Sequence, residues 1–285
     1  MYSRKNRPLH NAVKAAAAAG ISVLAAVSLA ACSGATATAP SDSTSTSGVK
    51  LVKDGQLSVC THLPYKPFEY NENGQVVGFE VDLMGLLAKK LNVTQSTVDV
   101  DWVQVTSGAA FKTKRCDIGM GGMTITDKRK QSILISDPYF DATQALLVKK
   151  DSGIHNLADL RGKKIGAQTD TTGQDYAKKN ADANGYTIVT FDDLALLEAA
   201  VKAGRVDAAI NDNGVLYDYV KDNPDTEVAT EFSTGEQYGF AGLKDDANAT
   251  KLMDMLNQEI ATAKSNGEYD TIFKKWFGTT PAVKG

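Results

Sequence analysis

The chain is poor in the residues that most often announce chemistry. It has three histidines, and His10, His62 and His155 are too scattered for any metal-ligand spacing, so no metal is expected. No Ser-His-Asp or Cys-His grouping is legible, which points away from an enzyme and toward a protein with no cofactor. No apolar run reaches the ~20 residues that a membrane-spanning helix needs, and the stretch Ala15 to Leu29 is both shorter and alanine-rich. A basic excess is missing too. With 31 Lys and Arg against 34 Asp and Glu, the formal net charge is −3, which argues against nucleic acid as a partner.

What is present begins with an export signal. Arg4, Lys5, Arg7 and Lys14 form a basic region ahead of the alanine-rich run. The run ends in Leu29-Ala30-Ala31-Cys32, which reads as a lipobox, with cleavage behind Ala31 and lipidation, palmitate included, of Cys32. An ordinary secretory signal with Ala-x-Ala cleavage is the alternative. Loss of residues 1–31 removes four positive charges and no acids, moving the formal charge from −3 to −7. Residues 32–48, rich in Ser, Thr, Ala and Gly, cannot bury a core and read as a disordered tether. Export permits a disulfide between Cys60 and Cys116. Cys60 falls late in one expected strand and Cys116 just before another, an offset that can hold the two apart, so the bridge stays open at this stage.

Beyond the tether, strand and helix patterns alternate. Leu57 to Cys60 reads as a strand, Gly78 to Leu91 as a helix with Phe79, Leu83, Leu86, Leu87 and Leu91 on one face, and Val98 to Val103 and Ile118 to Met120 as strands. The pattern restarts with a strand at Lys163 to Ala167, a helix from Thr172, a strand at Thr187 to Val189, a helix closed by Gly204 and a strand at Val206 to Ile210. Two units of similar plan imply an α/β protein with two lobes and a cleft between them, each lobe a mostly parallel sheet flanked by helices. Extended segments Gln144 to Val148 and Gln237 to Ala241 lie between the units. Trp276 and Phe277 are expected to pack back on the first lobe.

The segment Gly121-Gly122-Met123-Thr124-Ile125-Thr126-Asp127-Lys128-Arg129-Lys130 looks like a socket for a small carboxylate. Two glycines end a buried strand, Thr126-Asp127 is a good helix start, and Arg129 in the first helical turn offers a fork matching two carboxylate oxygens. An anion here would meet free N–H groups and the helix dipole. Continued through Ser136-Asp137-Pro138-Tyr139-Phe140, the segment closely resembles the bacterial extracellular solute-binding proteins of family 3, the polar amino acid receptors of ABC importers. The resemblance implies the type II periplasmic-binding-protein-like fold, with residues 49–143 plus 242–285 as lobe one and the hinge strands and lobe two within 144–241.

It also assigns roles. Arg129 would pair with a ligand α-carboxylate, Thr124 would assist, and the Gly122 carbonyl would accept from the α-ammonium. Asp212 matches the acid that receives the ammonium, with an Asx-turn as the competing explanation. Tyr65 and Trp102 would form aromatic walls. In lobe two Gln168, Thr171 and Thr172 follow the strand, and the Thr172 hydroxyl and N–H are placed to meet the same carboxylate. Asp170 stands where the family usually has Gly, as an acid facing either a carboxylate or a cationic side chain. His62 stands where receptors for basic or amide amino acids often carry an Asp. The implied protein is a monomeric, lipid-anchored receptor on the outer face of the cell membrane that delivers a polar L-amino acid to ABC permease subunits. Alternatives are a cyclic amino acid dehydratase-like enzyme, with His62 or Asp170 as its acid, and a ligand-sensing module.

Overall fold

The computed structural model describes residues 48–281. The leader, Cys32 and the tether up to Ser47 lie outside the described residues. A first five-stranded sheet has the order β4-β1-β5-β12-β6, made of β1 (Gln56–Thr61), β4 (Thr94–Asp99), β5 (Ile118–Gly119), β6 (Ile133–Ile135) and β12 (Ala241–Leu243). Strands β4, β1 and β5 are parallel, whereas β12 runs antiparallel to β5 and β6. The short hairpin β2 (Tyr70–Glu72) and β3 (Gln75–Val77) leads into α1 (Phe79–Leu91). In α1 Leu83, Met84, Leu87, Ala88 and Leu91 recur at helical spacing and are buried, and Asn92 ends the helix in a left-handed conformation. Between β4 and β5 come α2 (Trp102–Thr106) and α3 (Ala109–Lys112), and α4 (Asp127–Lys130) follows β5.

The second sheet has the order β11-β7-β10-β8-β9, from β7 (Phe140–Lys149), β8 (Lys164–Gln168), β9 (Thr187–Phe191), β10 (Ala208–Asp212) and β11 (Thr226–Tyr238). Here β10, β8 and β9 are parallel, and β7 is antiparallel to both β10 and β11. Helices α5 (Thr172–Asn184), α6 (Leu194–Lys202) and α7 (Asn213–Asp222) connect these strands. The chain returns to the first sheet through β12, and α8 (Ala247–Asn266) and α9 (Glu268–Phe277) pack against α1. Trp276 donates its Nε1–H to Asp82 of α1 at 2.7 Å, while Phe277 packs edge-on against Phe79 and Phe68.

The two sheets meet where β7 begins and β11 ends. Tyr139 N–H donates to the Tyr238 carbonyl, Gly239 N–H to the Met123 carbonyl and Ser136 N–H to the Phe240 carbonyl, so this junction is stitched by backbone. Rings of Phe68, Phe79, Tyr139, Phe140, Tyr238 and Phe240 fill it, with Tyr139 and Phe240 stacked at 4.2 Å. Cys60 and Cys116 are bridged, their Cα atoms 5.6 Å apart. The residue opposite Cys60 in the neighbouring strand is Gly119, and Cys116 sits in the loop leading into β5, which brings it back over Cys60.

Candidate functional site

All ten residues expected at a binding site, His62, Tyr65, Trp102, Gly122, Thr124, Arg129, Gln168, Thr171, Thr172 and Asp212, line one cavity between the two sheets. Pro64, Gly121 and Asn211 complete its wall. The cavity volume open to a water-sized sphere is about 20 Å³, room for about one water, so the two walls lie close together.

The wall from the first sheet is built on a Gly-Gly turn. Both glycines have positive φ, and a Cβ at 121 would come within 2.5 Å of the Trp102 ring, at 122 within 2.6 Å of the Tyr65 ring. The glycines thus admit the aromatic walls themselves. Trp102 is the first residue of α2 and not a strand end, because the strand stops at Asp99 and Asp101 turns the chain. The two glycine N–H groups are not free for an anion: they donate to the carboxylate of Glu80 on α1, at 2.6 and 2.9 Å. Tyr139 also gives its hydroxyl proton to Glu80. Among the described residues the Glu69 carboxyl, beside this cluster, has no hydrogen-bond partner, and burial together with the Glu80 charge pushes it well above the usual range. Burial raises Glu80 too, but its donors favour the ionised form, so Glu69 keeps the proton of the pair.

Arg129 is 8% exposed and sits on the one-turn helix α4, capped by the Thr126 side chain. So short a helix has little dipole, and the guanidinium is the main source of positive potential. It lies over the Trp102 ring at 5.5 Å, donates to the Thr124 carbonyl at 2.9 Å and to the Asp170 carbonyl at 3.1 Å. Among the described residues it forms no ion pair with a carboxylate. Burial pushes its pKa down, against the opposing pull of Asp170, Asp212, Tyr65 and Glu236.

Asp212 ends β10 and precedes α7, yet its side chain makes no cap. It accepts instead from Tyr65 at 2.8 Å, Tyr238 at 2.5 Å and Gln144. Burial first, then the charge of Glu236, raises its pKa to about 6, while those three donors pull the other way. Both phenols are buried and shifted well above their ordinary value, so they stay protonated as donors.

On the α5 side, Thr171 is the N-cap, accepting from Gln174 N–H at 3.1 Å and donating to the Gln168 carbonyl at 2.8 Å. That frees the Thr172 hydroxyl to face Thr124, 3.3 Å away across the cleft. Gln168 is buried and exchanges weak contacts with Asn211 and the Asp192 carbonyl. Asp170 adopts a left-handed φ of 58°, which explains a usual Gly there and which Asp tolerates. Its carboxylate faces away from the cavity, toward the Thr106 hydroxyl and, at 3.5 Å, Lys128, and its carbonyl accepts from Trp102 Nε1 at 3.2 Å. It therefore latches the two walls together. His62 Nδ1 donates to the Val100 carbonyl at 2.9 Å, which in the neutral ring leaves Nε2 as an acceptor, buried and without a hydrogen-bond partner among the described residues. Gln144, Tyr238, Glu236 and Glu80 were missed by sequence reasoning. The first two lie in the segments expected between the units, whereas the acids carry no local signature. No three His, Cys, Asp or Glu side chains converge as metal ligands among the described residues.

Two α/β sheets joined by paired strands, closed over a cavity that holds a buried cation and a buried acid, define a two-lobed small-solute-binding protein. The chain belongs to the bacterial extracellular solute-binding proteins, family 3, whose profile matches residues 57–279. It is 34% identical over 238 residues to the arginine-binding extracellular protein ArtP of Bacillus subtilis (strain 168), covering 83% of this chain and 89% of that one. Among solved structures it is similar to an ancestral arginine-binding protein bound to arginine (39% identity, TM-score 0.72, 78% of this chain and 98% of that one). It is also similar to the ancestral amino acid-binding protein AncCDT-1, a precursor of cyclohexadienyl dehydratase (37% identity, TM-score 0.70, 78% and 95%).

Proposed function

We propose that this chain captures a polar L-amino acid outside the cytoplasmic membrane and delivers it to an ABC permease. The observation that carries the reading is Arg129 and Asp212 in one buried cavity, each short of a charged partner among the described residues: the guanidinium pairs with no carboxylate there, and the acid accepts from the neutral donors Tyr65, Tyr238 and Gln144. A zwitterion supplies both. Residues 49–143 with 242–285 act as one lobe and 144–241 as hinge and second lobe; ligand contacts from both favour the closed form that the permease recognises. Cys32 carries the lipid, and the receptor works as a monomer held off the membrane by its tether.

Asp212 offsets the single guanidinium within the cavity, and His62 Nε2 adds a buried acceptor that a second, cationic donor group of the ligand can meet. This arrangement favours a ligand of net positive charge, in keeping with the arginine-binding relatives, so arginine is the first candidate. The dehydratase alternative loses one of its two candidate acids, because the Asp170 carboxylate is engaged outside the cavity. A thermal-shift screen of the twenty amino acids tests the proposal: a ligand at 100 times its dissociation constant adds ~2.7 kcal/mol of stability. No shift with any of them, or conversion of the ligand to product, would refute it.

A further inference from the structure

Behind the cavity wall lies a carboxylate that no expectation anticipated. Glu236 stands where the β11–β7 pairing breaks, jumping from Phe232 opposite Gln144 to Glu236 opposite Ala142. Gly235, at φ +64°, makes the turn with no atoms near its missing side chain. The irregularity aims one oxygen, Oε2, at three donors, each 3.0 Å away: the Thr124 hydroxyl, the Thr172 hydroxyl and Gln144 Nε2. Thr124 belongs to the first wall and Thr172 to the second, so one oxygen ties both.

The direction of these bonds decides what the threonines can do. An ionised carboxylate only accepts, and each hydroxyl has one proton. Both protons therefore point to Glu236, which is a nearer and stronger acceptor than the opposite threonine oxygen at 3.3 Å. Gln144 Nε2 has two hydrogens and three acceptors within reach, Asp212, Glu236 at 3.0 Å and the Thr172 hydroxyl oxygen at 3.2 Å, so Thr172 is met by a donor and gives its own proton elsewhere. With their protons committed, Thr124 and Thr172 can meet a ligand in the cavity they line only as acceptors.

We infer that Glu236 is a positioning residue that holds both threonine hydroxyls as acceptors, dedicating this end of the cavity, with Asp212, to the ligand's α-ammonium and leaving the carboxylate to Arg129. This reverses the role expected of the Thr172 hydroxyl, which cannot donate to a ligand carboxylate while Glu236 takes its proton. The inference rests on the amino acid receptor reading and gives polarity to the same site. It also explains how side chains that suit either pole of a zwitterion come to serve one.

The test compares L-arginine with 5-guanidinopentanoate, the same molecule without its α-ammonium, by calorimetry on wild type, E236M and E236Q. Methionine has similar length and no acceptor of comparable strength, while the glutamine amide oxygen still accepts from the hydroxyls. E236M is expected to weaken L-arginine tenfold or more and 5-guanidinopentanoate less than twofold, and E236Q to keep L-arginine within about threefold of wild type. Equal losses for both compounds in E236M, or no loss for either, would overturn the inference while wild-type binding upholds the receptor reading. If E236M does not fold, E236Q decides: a tenfold loss of L-arginine binding shows that charge, not hydroxyl direction, is what matters and overturns the inference. Failure of the wild type to bind L-arginine, L-lysine, L-histidine and L-glutamine would overturn the reading and the inference with it.

Discussion

Asp212 makes ligand affinity depend on pH in a way that can be worked through. Burial, first among the causes, pushes its carboxyl above the ordinary carboxylate range to about 6. A raised folded-state pKa means that the fold favours the protonated acid. The associated stability is fully present below the ordinary carboxylate value and is lost as pH rises through about 6. The displacement from the ordinary carboxylate value corresponds to ~3 kcal/mol. A ligand ammonium reverses the preference, because it binds the ionised form. Affinity should therefore rise close to tenfold per unit from about pH 4 and level off above about pH 6, and binding at pH 5.5 should release ~0.8 proton.

The groups that bear on Asp212 are Tyr65, Tyr238 and Gln144 in contact, Glu236 beside it and Arg129 at longer range. None of the three contacts titrates in this window. Calorimetry at pH 5.5 and 7.5 in two buffers of different ionisation enthalpy measures the proton count directly. D212N should abolish the release. Equal affinity at pH 5 and 7.5 with no proton release would refute the reasoning.

R129M should weaken the ligand by ~2–5 kcal/mol, at least about 30-fold, while the ligand-free melting temperature holds or rises, because the guanidinium is buried and pairs with no carboxylate among the described residues. E80Q should lower stability by ~2–3 kcal/mol in a urea titration and weaken ligand binding, because the Gly121 and Gly122 N–H groups lose the charge that fixes them. C60A/C116A should cost ~2–4 kcal/mol, since the bridge closes a loop spanning a sequence separation of 56.

The parts of the site that sequence could reveal are those made by consecutive residues. Gly121 to Arg129 combines a turn, a cap and a cation within ten positions, and Thr171-Thr172 announces a helix start by residue type alone. The apolar spacing of α1 was equally plain. Trp102 was misplaced because Val100 and Val103 prolong the β-like pattern past Asp99, where the strand actually stops. Glu80 and Glu236 were invisible because their partners are distant: Gly121 is 41 residues from Glu80, and Gln144 is 92 from Glu236. An acid on an amphipathic helix, or near the end of a strand, reads as a solvated charge until the fold brings donors to it. Asp170 was noticed for its type, but its direction depends on Thr106 and Lys128 across the cleft.

The closed cavity also explains why the site should prefer an amino acid over simpler amines or acids. An amine would relieve Asp212 but leave Arg129 desolvated and unpaired. A carboxylate would relieve Arg129 but face acceptors at Thr124, Thr172 and Asp212. Each fragment thus leaves a buried group uncompensated, at a cost of roughly 1–3 kcal/mol for a neutral group and more for a charged one. Only a molecule carrying both charges satisfies both poles. The existing latch lowers the cost of closing, since Arg129 and Trp102 already hold the Asp170 carbonyl across the cleft. With the walls held by backbone acceptors and neutral donors, ligand binding energy is left to discriminate between zwitterions and their fragments.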